Sequence, residues 1–135
     1  MIDWSNSDFD ERLSVWKNFR ETLKTLETEE EKLKRVAEFF SRVPYGKRTV
    51  DFYTPESWPT PWELLDRDNH CMNTISIMMR NTLKFVGVEA TLTLINDGQE
   101  DYIVPIVGDK ILNFIHGDVG VLTECQDIKI LQVIN

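Results

Sequence analysis

Between Ser57 and Val88 the chain reads Ser-Trp-Pro-Thr-Pro-Trp-Glu-Leu-Leu-Asp-Arg-Asp-Asn-His-Cys-Met-Asn, then an apolar stretch closed by Val86-Gly87-Val88. Pro59 and Pro61 fix their own φ and restrict the residues before them, so Trp58 and Trp62 sit on a rigid aromatic lead-in. Pro61 suits the first position of a short helix through Leu65. Asp68 and Asn69 are helix-capping types, and Cys71 follows at or near the first turn. Ile75, Met78, Met79, Leu83 and Val86 then recur at helical spacing, with Gly87 as the stop. Such a segment predicts a buried central helix, and the rest of the chain must pack around it.

Cys71 has two readings. Free cysteine often serves as a small buried apolar residue. At a helix start, unpaired N–H groups and the helix dipole favour thiolate, which is the nucleophile.

Upstream, Phe9, Leu13, Trp16, Phe19, Leu23 and Leu26 step by three and four, which predicts an amphipathic helix over Asp8 to Leu26. The polar, acidic residues 1 to 10 are expected to fray or to cap it. Thr28 and Glu31 have capping-box spacing at the head of a second helix. Leu33, Val36, Ala37, Phe39 and Phe40 form its apolar stripe, and it ends before Pro44. The two helices are expected to form a hairpin covering something flatter. A connector with Gly46 and the pair Lys47-Arg48 leads to Tyr53.

Downstream, Glu89 to Ile95 has the alternation and β-branching of a half-buried strand, and Asn96-Asp97-Gly98 is a turn signal. Tyr102 to Val107 is a second strand, in which Pro105 suggests a bulge or an unpaired side. Lys110 to Ile115 is a third, and Ile128 to Ile134 a last. Helices followed by an antiparallel meander make an α+β plan: a helical hairpin plus a central helix on a small antiparallel sheet.

At 135 residues the chain reads as one domain, residues 1–135, large enough to bury a core. No apolar run approaches a membrane span, and Met-Ile-Asp-Trp shows no basic-then-apolar leader, so a cytoplasmic location without membrane contact is expected. Two cysteines (Cys71, Cys125) and two histidines (His70, His116) make neither a disulfide framework nor a zinc set, so no metal and no cofactor are expected. A net charge of −8 argues against a phosphate-contacting surface, hence against nucleic acid as a partner. It fits a solvated exterior, a basic protein partner, or an acidic surface that inhibits a host protein.

From Tyr53 to Val88, and through the strands that follow, the chain resembles the bacterial transglutaminase-like cysteine peptidases. That family carries a Trp-x-Thr-Pro-x-Glu-x-Leu lead-in, matched here by Trp58, Thr60, Pro61, Glu63 and Leu65, with Arg67 following. Its Arg-Gly-x-Gly-Asp-Cys-Glu-Asp turn corresponds to Asp68-Asn69-His70-Cys71-Met72-Asn73. Its Leu-Gly-Val helix end corresponds to Val86-Gly87-Val88. The likeness spans roughly residues 30 to 116 and implies a papain-like, transglutaminase-like fold. The family's enzymes are typically exported, which this N-terminus does not match.

The resemblance also implies a mechanism: a cysteine at the helix start, a histidine base opening the second strand, and an aspartate on the next strand orienting it. Here Asp101 or Tyr102 stands at the histidine position and Asn113 at the aspartate position. The acids beside the cysteine, which in the family also serve calcium binding, are His70, Met72 and Asn73. Tyrosine titrates near about 10, too high to take a thiol proton at neutral pH. A carboxylate at Asp101 raises a thiol pKa by repulsion. His70 adjoins Cys71 but leaves the helix start in a different direction, and His116 lies three residues past Asn113.

The expectation is therefore a catalytically degenerate domain that binds a protein. Its cleft would be formed by Trp58, Trp62, Asp101, Tyr102 and Asn113 around Cys71. The alternatives are an active peptidase or amidase using Cys71 with His116 or His70, and an acidic inhibitor. Small domains of this kind also resemble proteins of tailed phages, with virion association as the corresponding location.

Overall fold

The structure is a computed structural model that describes residues 4–43, 58–67, 70–125 and 128–134. The connector from Pro44 to Tyr53 and the expected caps Asp68 and Asn69 lie outside the described residues.

The first three α-helices start on a short polar side chain. Before α1 (Phe9–Lys24) the Asp8 carboxylate accepts the Glu11 N–H at 2.8 Å. Before α2 (Glu29–Phe40) the Thr28 hydroxyl accepts the Glu31 N–H at 3.1 Å. The reciprocal box forms one helix later, at α3 (Pro61–Leu65): Thr60 Oγ1 accepts the Glu63 N–H, and Glu63 Oε1 accepts the Thr60 N–H, both at 3.3 Å. These contacts satisfy donors that a helix start leaves without partners.

The central helix is α4 (Met72–Phe85), with Cys71 itself as its N-cap. Gly87 stops it at φ +80°. The Gly87 N–H donates to the Lys84 carbonyl at 3.2 Å and the Val88 N–H to the Leu83 carbonyl at 2.9 Å, the paired bonds of a Schellman end.

The buried stripe of α2 is Leu33, Val36, Ala37, Phe39 and Phe40, the set expected from spacing. Phe39 stacks on Phe19 of α1 at 4.1 Å, which closes the helical hairpin. The hairpin does not cover the sheet directly: α2 packs mainly on α4 and α1 on α3, while α4 lies along the sheet. Buried on most sides, α4 encloses polar residues as well as apolar ones: Asn73, Thr74, Ser76 and Thr82.

The five-stranded antiparallel sheet has the order β4-β3-β2-β1-β5. Its strands are β1 (Thr91–Asn96), β2 (Asp101–Val107), β3 (Lys110–Ile111), β4 (Gly120–Val121) and β5 (Lys129–Val133). Leu92 pairs with Pro105 and Leu94 with Ile103; Leu92, Leu94 and Ile103 belong to the main core with α4. Ile95, Tyr102, Val104 and Ile111 point to the other face and form a smaller core with Phe114, Leu122, Cys125 and Ile128. All five residues of β5 are exposed at the sheet edge.

One expectation changes and two pairs of alternatives resolve. At the N-terminus Asp8 caps α1, and Trp4 is a core residue. The third strand stops at Ile111 instead of Ile115, because Asn113 takes φ +58° and turns the chain away. No bulge forms at Pro105. Its carbonyl accepts the Leu112 N–H at 3.0 Å, so its missing N–H faces the side where β3 is already leaving. The register shift lies instead between Leu94 and Ile95, opposite β5.

Candidate functional site at the start of the central helix

Cys71 stands in extended conformation (φ −81°, ψ 171°), and its side chain caps nothing. It is 5 % exposed. Its carbonyl accepts the Ile75 N–H at 3.1 Å and the Thr74 hydroxyl at 3.0 Å, and the same hydroxyl lies 3.7 Å from Sγ.

Strand β2 is clipped to the next turn of α4 through one residue. The Ile103 N–H donates to Asn73 Oδ1 at 2.9 Å, and the Ser76 hydroxyl donates to the Ile103 carbonyl at 2.7 Å. Asn113 completes the seam from the end of β3. Its Nδ2 donates to the Met72 carbonyl and to Ser76 Oγ, both at 2.8 Å. Asparagine tolerates the left-handed backbone that this placement needs. Buried polar atoms cost free energy unless paired, and here amide, hydroxyl and backbone groups pair with one another.

The structure thus brings Asn113 and the start of β2 to the helix start that Cys71 opens. Tyr102 is buried in the smaller core, against which Met72 of α4 also packs. Asp101 is exposed at the hairpin end and accepts the Asn96 amide at 2.7 Å. Trp58 packs, half-buried, against the main core. Trp62 is placed elsewhere: it meets Trp16 edge-on at 5.5 Å, and Trp16 in turn meets Phe85 at 5.6 Å. That cluster sits at the last turn of α4, about 20 Å along the helix from Cys71 at 1.5 Å per residue.

The two histidines have different surroundings. His116 is exposed in the turn before Gly117, which abuts Ser41 at the end of α2. His70 is 3 % exposed and edge-on to Trp4 at 5.5 Å, and among the described residues neither ring nitrogen has a hydrogen-bond partner. Burial, then the Arg67 and Arg12 guanidinium groups, hold its pKa down to about 4. The Leu64 carbonyl pulls weakly the other way, its geometry falling short of a hydrogen bond. An imidazole held that low is a poor proton acceptor.

Sequence reasoning missed the support beneath residues 65–67, at the end of α3. Arg12 is buried, and its guanidinium donates to the carbonyls of Trp4 (2.7 and 3.1 Å), Leu65 (3.0 Å) and Arg67 (2.9 Å). Trp4 Nε1 also donates to the Arg67 carbonyl at 2.8 Å. The available signal was position: Arg12 lies four residues before Trp16, on the apolar stripe of α1.

The positions beside Cys71 suit a calcium ion poorly. Calcium takes six to eight hard oxygen ligands. Met72 offers a thioether, His70 is enclosed against Trp4, and the Asn73 side-chain oxygen is already occupied by Ile103. Among the described residues no group of three or more His, Cys, Asp or Glu could hold a metal ion.

No family model and no curated protein matches the chain. Solved structures do. The calcium-bound form of LapG from Legionella pneumophila superposes with a TM-score of 0.80 at 18 % identity, covering 96 % of this chain and 77 % of that one. The EGTA-treated form gives 0.80 at 19 %, covering 96 % and 75 %, and a further LapG structure 0.80 at 19 %, covering 96 % and 76 %. At this identity the likeness establishes the fold: the chain has a transglutaminase-like α+β architecture.

Proposed function

We propose that this chain is a transglutaminase-like domain without peptidase chemistry, working as a protein-binding or structural module. The observation that carries the reading is what surrounds the start of α4. Among the described residues, the side chains closing on it include Asn73, Ser76 and Asn113, and each is committed to a partner that ties α4 to β2 or to the end of β3. A thiol enzyme needs a base within hydrogen-bond reach of sulfur. Of the two residues at the family's histidine position, Asp101 is exposed and bonds Asn96, and Tyr102 is a buried phenol, a type that titrates at about 10 and is a poor base for a thiol. Cys71 then serves as a buried residue at the head of the central helix.

The test is alkylation of Cys71 at neutral pH in a Cys125→Ser background, with and without His116→Ala. Equal rates, together with no turnover of peptide substrates, are expected. A tenfold or larger drop in alkylation on removing His116, or a covalent acyl-enzyme at Cys71, overturns the reading in favour of an active peptidase.

A further inference from the structure

We propose that the far end of α4, opposite Cys71, is a docking site for an acidic partner segment that presents an aromatic side chain next to a carboxylate. The site stands whether or not Cys71 is reactive.

Two large aromatics are exposed there, Trp62 at 46 % and Phe85 at 45 %, on either side of the fully buried Trp16. Both are held in place by ring contacts, so little side-chain freedom is left to lose on binding. A cavity of about 500 Å³, lined by Pro61, Asn81, Lys84 and Phe85, opens beside them. That volume is within the range of sites that accept a large side chain or a small ligand. On the other side of Lys84 a second cleft of about 320 Å³ runs past Arg80, Val88 and Glu89.

Charge selects the occupant. The Arg20 guanidinium lies 4.3 Å from the ring centres of both Trp16 and Phe85, and its Nε is shielded from solvent with no hydrogen-bond partner among the described residues. Lys84 thus borders both clefts, Arg80 the second, and Arg20 lies over Phe85, so cations flank the exposed rings in a chain of net charge −8; among the described lining residues the acid is Glu89, in the second cleft. A carboxylate complements this local cluster, and an aromatic ring complements the exposed rings and the cavity. A nucleic acid would bring the same chemistry as bases and phosphates. Its long phosphate track, however, meets three cations locally and the acidic remainder of the surface beyond them.

The experiment titrates isotope-labelled full chain with N-acetylphenylalanine, with phenethylamine and with an oligothymidylate, following amide and indole resonances. Expected is saturable binding of N-acetylphenylalanine in about the millimolar range, normal for so small a ligand. It should shift the Trp62 indole and the amides around Lys84 and Phe85, and bind at least tenfold more tightly than the amine. Lys84→Glu, at an exposed position that leaves the ring cluster intact, should weaken binding at least tenfold, as should Trp62→Ala. Equal binding of the amine, shifts confined to the Cys71 end, no saturable shift with any probe, or tighter binding of the oligonucleotide each overturns the proposal.

Discussion

Acidification should destabilise this protein through one buried ring. His70 is enclosed against Trp4 with Arg67 and Arg12 nearby, and its pKa falls from 6.5 to about 4. In the unfolded chain the imidazole is free to take a proton as soon as the pH drops below its ordinary value of 6.5. The folded state resists that proton until about pH 4, so the unfolded state binds more protons in between and stability falls with pH. At 1.36 kcal/mol per unit, the full difference of about 2.5 units is worth about 3 kcal/mol, of which about 2 kcal/mol is lost by pH 5. For a domain of this size that is on the order of 6 to 8 °C in melting temperature. The assay is urea or thermal unfolding, followed by tryptophan fluorescence between about pH 7.5 and pH 4.5. His70→Phe keeps a planar ring against Trp4 and removes both unpaired nitrogens. It should be near neutral at pH 7.5 and flatter below 6.5. Asp97, whose carboxyl is held low by the Glu100 and Gln99 N–H groups, also loses stability towards acid, but equally in both chains, so it cancels in the difference. If His70→Phe follows the wild-type curve below pH 6.5, the reasoning is refuted.

Arg12→Met should cost about 3 kcal/mol or more, because it leaves the Trp4, Leu65 and Arg67 carbonyls without their charged donor, while Arg12→Lys should recover less than half. A urea midpoint that moves by less than about 1 kcal/mol equivalent in Arg12→Met would show that residues 65–67 are held some other way. Calcium at millimolar concentration, or its removal with EGTA, should leave the melting temperature within about 1 °C, since a bound ion at free concentration c would stabilise the fold by RT ln(1 + c/Kd) and raise it. A rise of several degrees would reveal ligands beside Cys71 that the donor chemistry does not suggest.

Local signals were readable and distant ones were not. The α2 stripe from Leu33 to Phe40, the start at Thr60-Pro61, the stop at Gly87 and the turn after Asn96 each depend on residues within a few positions of one another. Arg12 was opaque because its partners, Leu65 and Arg67, are more than fifty residues away, and a lone cation on an apolar stripe looks like an interruption. Trp62 was assigned to the same loop as Trp58 by proximity in sequence, yet the α3 helix between them and Cys71 turns it towards Trp16 and Phe85. Asn113 could be aligned with the end of a strand, but its left-handed backbone and its bonds to Met72 and Ser76 exist only once α4 and β3 are packed.

The outer strand β5 leaves Ile130, Leu131 and Val133 uncovered along an edge. Edges of this sort are templates on which further strands add, including strands of identical molecules. One Lys at position 129 and the irregular pairing against Leu94 and Ile95 blunt it only at one end and in the middle. At longer range, molecules each carrying net charge −8 repel one another, which opposes such pairing. The acidic surface thereby acts as a colloidal safeguard for a strand that the fold itself leaves open, and salt, which shortens the reach of that repulsion to about 8 Å at physiological strength, decides how well it works.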